Sequence, residues 1–299
     1  MRTGEIRKVY LYILLAALLF ASMEVVLKLA GSKMDPFQLT FLRFTVGGVL
    51  LFPFAMLEMK KRSLKLGSRD LMYLALLGVV CVPVSMVFFQ LGVVNSNAAT
   101  AAVLFSINPL FSIIFAYFIA SESFTRSKII FLMFGLVGIF FIMRPWELQQ
   151  GNTFIGLAFT LLAALTFGLY TAMGKASVAK MGIIVQTAIS FLFGAFVLLI
   201  IILITGRPVL QGVAENFALV LYVSLFVTGL GYYAYFMAIK NSDVTTGSLV
   251  FFIKPVISPV IAVIVLSERI LWNTYVGIVL ILIASYLNIK GKRNENRGH

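Results

Sequence analysis

The chain has 299 residues, 61% of them apolar and 12% charged, against about 45–50% and about 25% in a water-soluble domain. An ordinary soluble globule is excluded. The formal charge of +13 is spread through Phe, Leu, Ile and Val instead of clustering on a polar face, so it marks loops at an anionic membrane surface rather than a nucleic-acid binder.

A helix crossing a hydrocarbon layer of about 30 Å needs about 20 mostly apolar residues. Ten stretches meet that requirement in chain order: Val9 to Ala30, Phe37 to Leu57, Leu71 to Gly92, Ala98 to Ala120, Ser127 to Met143, Phe154 to Lys175, Ile183 to Thr205, Phe217 to Ala238, Val244 to Leu266 and Asn273 to Lys290. They are too long and too evenly apolar for the roughly ten-residue alternating strands of a barrel. Arg2, Arg7 and Lys8 ahead of the first stretch resemble a signal peptide, but Glu24 and Lys28 stand where a small-residue cleavage site is needed. The polar stretches between spans are short, the longest being Met59 to Asp70, so no soluble domain fits. Lys and Arg number 17 in the loops and ends on the side of the N-terminus and 5 on the other, which places both termini in the cytoplasm. The expected fold is therefore all-α and integral to the membrane, with ten transmembrane helices, in the cytoplasmic membrane of a bacterium.

The sequence repeats itself. A shift of 146 residues aligns Asn95 to Glu122 with Asn241 to Glu268 without a gap, with 10 identities in 28 pairs that include Asn95/Asn241, Pro109/Pro255, Ser112/Ser258 and Glu122/Glu268. A shift of 147 sets Leu14 to Phe20 against Leu161 to Phe167, and Lys28 against Lys175. Residues 1–146 and 147–299 thus form two five-helix repeats, the second followed by a short basic tail. An odd number of spans per repeat inverts the second relative to the first. Inverted halves of this kind underlie many secondary transporters, in which a site near the midplane faces alternate sides. Two pseudo-equivalent halves can exchange conformations, so the two access states lie close in energy.

With its 5+5 layout, the N-S-x(3)-T...P...S-E run in spans four and nine and the small-residue pattern of span one, the chain resembles the EamA-type members of the drug/metabolite transporter superfamily. Phe20-Ala21 departs from the Trp-Gly-like pair of many relatives, so contacts of that pair are not carried over. The resemblance implies a metabolite carrier, commonly an exporter, with a central cavity lined by both halves and with spans five and ten at the periphery.

Polar groups present in only one half are candidates for substrate chemistry. Glu24, Arg43 and Lys254 face Thr171, Ile189 or Ser190, and Asn108 across the repeat. A charge at the centre of a membrane helix costs about 2.5–3.5 kcal/mol even on insertion scales. Three such charges are expected to line an aqueous cavity, with Lys254, assisted by Arg43, taking a carboxylate and Glu24 meeting an ammonium group or a proton. The structural alternatives are a Glu24–Lys28 pair one turn apart and an Arg43 that reaches a lipid headgroup. Asn108, Gln90, Tyr170, Tyr232 and Tyr235, with Gln186 and Tyr233, could add hydrogen-bonding groups to the lining. Pro109 and Pro255 each remove a helical hydrogen bond, to Phe105 and Phe251 respectively, and Pro259 does the same for Pro255, so helix breaks or hinges are expected there. Glu122 and Glu268, each after a serine at a span end, read as gates or, more plainly, as helix caps.

One cysteine, Cys81, and one histidine, His299, leave no disulfide framework and no Cys- or His-based metal site, and no cofactor is expected. Serine proteolysis lacks a base, and Asp35, Asp70 and Asp243 fall in turns, so no intramembrane aspartyl dyad forms. The leading reading is a carrier of a small zwitterionic or anionic metabolite such as an amino acid. The alternative is an organic-cation or drug efflux carrier, which the +1 balance of Glu24, Arg43 and Lys254 disfavours, and an intramembrane enzyme is a remote third. The partners expected are a small-molecule substrate and the lipid bilayer, with a proton as a further candidate and no nucleic acid, and the protein is expected as a monomer or homodimer.

Overall fold

The computed structural model describes residues 3–119, 133–134, 137–138, 141, 151–241 and 249–295, and within them it is all-α. Span five lies almost entirely outside the described residues, and so does Glu122. The helices are α1 (Thr3–Gly31), α2 (Pro36–Lys61), α3 (Ser68–Val94), α4 (Ala98–Ile119), α5 (Phe154–Met181), α6 (Ile183–Ile204), α7 (Phe217–Ala238), α8 (Leu249–Leu266) and α9 (Trp272–Glu295). Seven of the described helices, α1 to α7, are long and apolar enough to cross a membrane, and a further apolar segment runs from Ile253 to Leu266 in α8.

Local chemistry sets several boundaries. Asp35 begins α2 by accepting from the backbone N–H groups of Phe37 and Gln38 at 2.9 and 3.2 Å, with Pro36 at the first position, where a missing N–H costs nothing. Ser267 ends α8 with a φ of 54°. α3 and α7 contain wide π-type turns over Val80–Met86 and Tyr222–Gly231. Those two stretches correspond under the 146-residue shift, and Pro83 accounts for only the first.

The helices of the two halves interleave instead of forming separate bundles. α2 packs on α6, α4 on α8, α3 on α5 and α6, and α1 and α2 on α7, with α1 also against α8 and α4 against α5. Each of these pairings has its counterpart under the repeat. Some residues touch their own counterparts: the rings of Phe44 and Phe191 lie edge to face at 4.7 Å, and the Tyr232 hydroxyl is 4.0 Å from the Met86 sulfur. The Phe20–Phe251 stack at 6.3 Å is matched by Phe105–Phe167 at 5.3 Å. α9 packs on α8 and α4 at the edge of the assembly.

Corresponding helices run in opposite directions. The carboxylate of Glu268, just beyond α8, accepts from the N–H groups of Ala98 and Ala99 at the start of α4, at 2.8 and 3.1 Å. Asp35, ahead of α2, pairs with Arg207, beyond α6, at 2.7 Å. Lys28 in the last turn of α1 donates to the carbonyls of Val94 and Ser96, beside Asn95, whose own carbonyl accepts from Thr153 just ahead of α5. Close approach depends on glycine where α3 meets α6: a Cβ on Gly78 would fall on the backbone of Ser190 and Gly194.

Candidate functional site

Two of the three intramembrane charges meet between α1 and α8, and the third, Arg43 of α2, faces them. Glu24 and Lys254 form a direct ion pair, and both side chains are completely buried. Ser258, one turn beyond Lys254, donates to the Ala21 carbonyl at 2.8 Å and lies 3.3 Å from the second carboxylate oxygen of Glu24. That contact pins α8 to α1 and orients the acid. The ammonium of Lys254 also stands over the rings of Phe105 and Phe89, at 5.0 and 5.6 Å from their centroids, so the cation that has left water meets the negative faces of two rings.

Arg43 is equally buried and faces Glu24, Lys254, Tyr232 and Cys81. Its guanidinium donates to the Met23 sulfur at 3.6 Å and lies 4.6 Å from the Phe44 ring centroid. Its Nε and second terminal nitrogen have no hydrogen-bond partner among the described residues. The headgroup alternative for Arg43 and the Lys28 alternative for Glu24 both disagree with this geometry, since Arg43 is fully buried and Lys28 is bound to the α3–α4 turn.

The neutral candidates divide. Tyr232 belongs to the centre, with its ring 5.0 Å from that of Phe191 and 5.1 Å from that of Phe20. Tyr170 is buried beside Cys81, Thr187 and Ser190. Tyr235 is buried against Phe20 and Phe251, at 6.1 and 5.5 Å between centroids. Gln90 serves as a tie, donating to the Leu27 carbonyl of α1 at 3.2 Å. Gln186 binds Ser177 near the opposite end of α5, and Tyr233 is only partly buried, packed on Phe54 at 5.9 Å.

The prolines differ from the expectation drawn for them. α4 breaks at Ser106–Ile107, ahead of Pro109, and Asn108 donates its amide to the Phe105 carbonyl at 2.9 Å. The group that the proline leaves unpaired is thus satisfied by the side chain next to it. Pro255 and Pro259 instead sit within an unbroken α8. The residue at the Asn108 position there is Lys254, whose head is held by Glu24 on another helix. Glu268 also departs from a cap on its own helix, because it caps the N-terminus of α4, where the helix dipole favours a negative charge. Met23, Phe44 and Phe191 do not stand out in the sequence, being ordinary residues of apolar helices; Ser258 carries one signal, its identity with Ser112 across the repeat.

Comparison with known proteins agrees with this architecture. The profile of the EamA-like transporter family matches twice, over residues 7–144 and 154–290. An uncharacterized transporter of Clostridium kluyveri is 39% identical over 97% of this chain and 96% of its own length. An S-adenosylmethionine uptake transporter of Rickettsia felis is 25% identical over 96% and 95% respectively. A solved crystal structure superposes with a TM-score of 0.67 at 19% identity, covering 96% of this chain and 98% of that one, a likeness of fold. The doubled family match spans nearly the whole chain, and the protein belongs to the EamA-like transporter family, an integral membrane transporter built from two repeats of one helical unit.

Proposed function

We propose that the protein is a secondary carrier that exports a small zwitterionic or anionic metabolite, with amino acids as the first class to test, by alternating access around the Glu24–Lys254–Arg43 cluster. The reading includes ten spans in two inverted repeats, 1–146 and 147–299, with both termini cytoplasmic. The opposed directions of α4 and α8, α2 and α6, and α1 and α5 support the inversion. One observation carries the function: two cations and one carboxylate, all removed from solvent, meet where helices of both halves cross. An arrangement so costly in lipid is retained where a ligand or water completes it. In this mechanism the substrate enters between the halves, its anionic group engages the positive charge, and one half rocks against the other. Met23, Phe44, Tyr232 and Phe191 exclude water around the bound solute.

The alternative, a carrier of organic cations, takes support from the name of the Rickettsia felis relative and from the aromatic groups around Glu24. The net positive charge of the cluster disfavours it. Counterflow in proteoliposomes containing the purified chain, with amino acids, small carboxylates, nucleosides and amines trapped in turn, tests the proposal. Saturable exchange of one class supports a carrier, and failure of every class across both pH and membrane-potential gradients refutes it.

A further inference from the structure

The pairing of Glu24 with Lys254 changes which charge is left to read a ligand. Their two charges cancel, and Ser258 holds the acid in place. The ionisable groups facing Arg43 among the described residues are Tyr232, Cys81, Glu24 and Lys254; the first two are neutral at ordinary pH, and the last two are taken by each other. Arg43 therefore remains as one uncompensated positive charge, fully buried, with two of its three nitrogens lacking partners among the described residues. A guanidinium keeps its charge under burial, and its planar fork fits a carboxylate in two parallel hydrogen bonds. Against the fork lie the Met23 sulfur, the Phe44 ring and Tyr232, and Phe191 packs behind them, 4.7 Å from the Phe44 ring and 5.0 Å from that of Tyr232.

From these observations we infer that the substrate is a small monocarboxylate with an apolar or aryl body, bound bidentately by Arg43, and that an ammonium group on the substrate is not read. The inference rests on the carrier reading above and narrows it. One negative charge brings the cluster to neutrality. A zwitterion would bring in an ammonium whose natural partner, Glu24, is already engaged. The apolar body packs against the sulfur and the rings.

The test uses four solutes that share a phenyl ring: sodium phenylacetate, phenylacetamide, phenethylamine and phenylalanine. Each is assayed on the full chain for a shift in unfolding midpoint in detergent, where a ligand of the folded state raises stability by mass action, and for counterflow in proteoliposomes. Phenylacetate is expected to raise the midpoint and to exchange, with the uncharged amide and the amine inactive and phenylalanine at least about tenfold weaker, because its ammonium is desolvated without a partner. Arg43→Gln is expected to abolish the phenylacetate response while its unliganded melt shows folded protein. If Arg43→Gln does not purify folded, Arg43→Lys, which keeps the charge and loses the fork, is read instead, with affinity expected to fall about tenfold. Phenylalanine or phenethylamine exchanging as well as phenylacetate overturns the monocarboxylate assignment and leaves the carrier reading standing. An undiminished phenylacetate response in either Arg43 variant overturns the role of Arg43. Loss of exchange for these four and for the whole panel above overturns the carrier reading itself.

Discussion

Removing one member of the Glu24–Lys254 pair strands the other in a dry interior. Sequence alone predicts that Lys254→Ala reduces transport with little loss of folded protein; the observed pairing adds a stability cost. Both side chains have no solvent exposure, and breaking a buried pair typically costs about 3–5 kcal/mol because an uncompensated charge is left behind. In a membrane protein the unfolded chain also stays in lipid and finds polar partners, which lowers that figure. A loss on the order of 3 kcal/mol is expected for Lys254→Met or Glu24→Gln. Glu24→Gln with Lys254→Met together removes both charges and should cost less than the sum of the single changes by about 2 kcal/mol. The assay is a double-mutant cycle by unfolding in mixed detergent micelles, followed by helical circular dichroism. Single changes that add to within about 0.5 kcal/mol would mean that the two groups do not interact in the folded protein, and the assignment of Arg43 as the one uncompensated charge would fall with them.

Three further outcomes are expected. Asn108→Leu leaves the Phe105 carbonyl unpaired at the break in α4 and should cost about 1–3 kcal/mol; an unchanged unfolding midpoint in the same micelle assay would show that another group satisfies that carbonyl. Glu268→Gln keeps the shape of the α4 cap and removes its charge, so stability should fall by about 0.3–1 kcal/mol, with the loss shrinking as salt is raised; a loss independent of ionic strength counts against a charge–dipole contribution. Gly78→Val puts a side chain into the backbone of Ser190 and Gly194, so α3 and α6 must separate and exchange in proteoliposomes should cease, whereas wild-type exchange rates in this variant would mean that the contact opens during transport.

The spans were legible because lipid imposes a length and a composition that few other environments require. α1 to α9 are helices over nine of the ten stretches read from the sequence, seven of them long and apolar enough to cross a membrane, and the remaining stretch lies almost entirely outside the described residues. Glu24, Arg43 and Lys254 were legible for a related reason, since an ionisable group inside an apolar helix stands out against its neighbours. Their partners were not. Lys28 is one turn from Glu24 and Lys254 is 230 residues away, and only the packing of α8 on α1 decides between them. The same holds for Glu268, whose own helix end was the obvious place for a cap until α4 was seen to start beside it. The same helix-breaking residue leaves a break ahead of Pro109 and none at Pro255 and Pro259, because the departure from helix depends on what neighbours can do for the freed carbonyl. The wide turn in α7 has no proline and no glycine pair at its start, and nothing in its composition announces it.

A side chain that touches its own repeat-mate occupies the line about which one half maps onto the other. Phe44 and Phe191 do so in α2 and α6, and Met86 and Tyr232 do so in α3 and α7. In the proposed alternating-access cycle, points on such a line move least when the halves trade shapes, so these contacts are expected to persist through it like the pin of a pair of scissors. Trimming the pin should loosen both states alike and slow the whole cycle, leaving the balance between the two openings where it was.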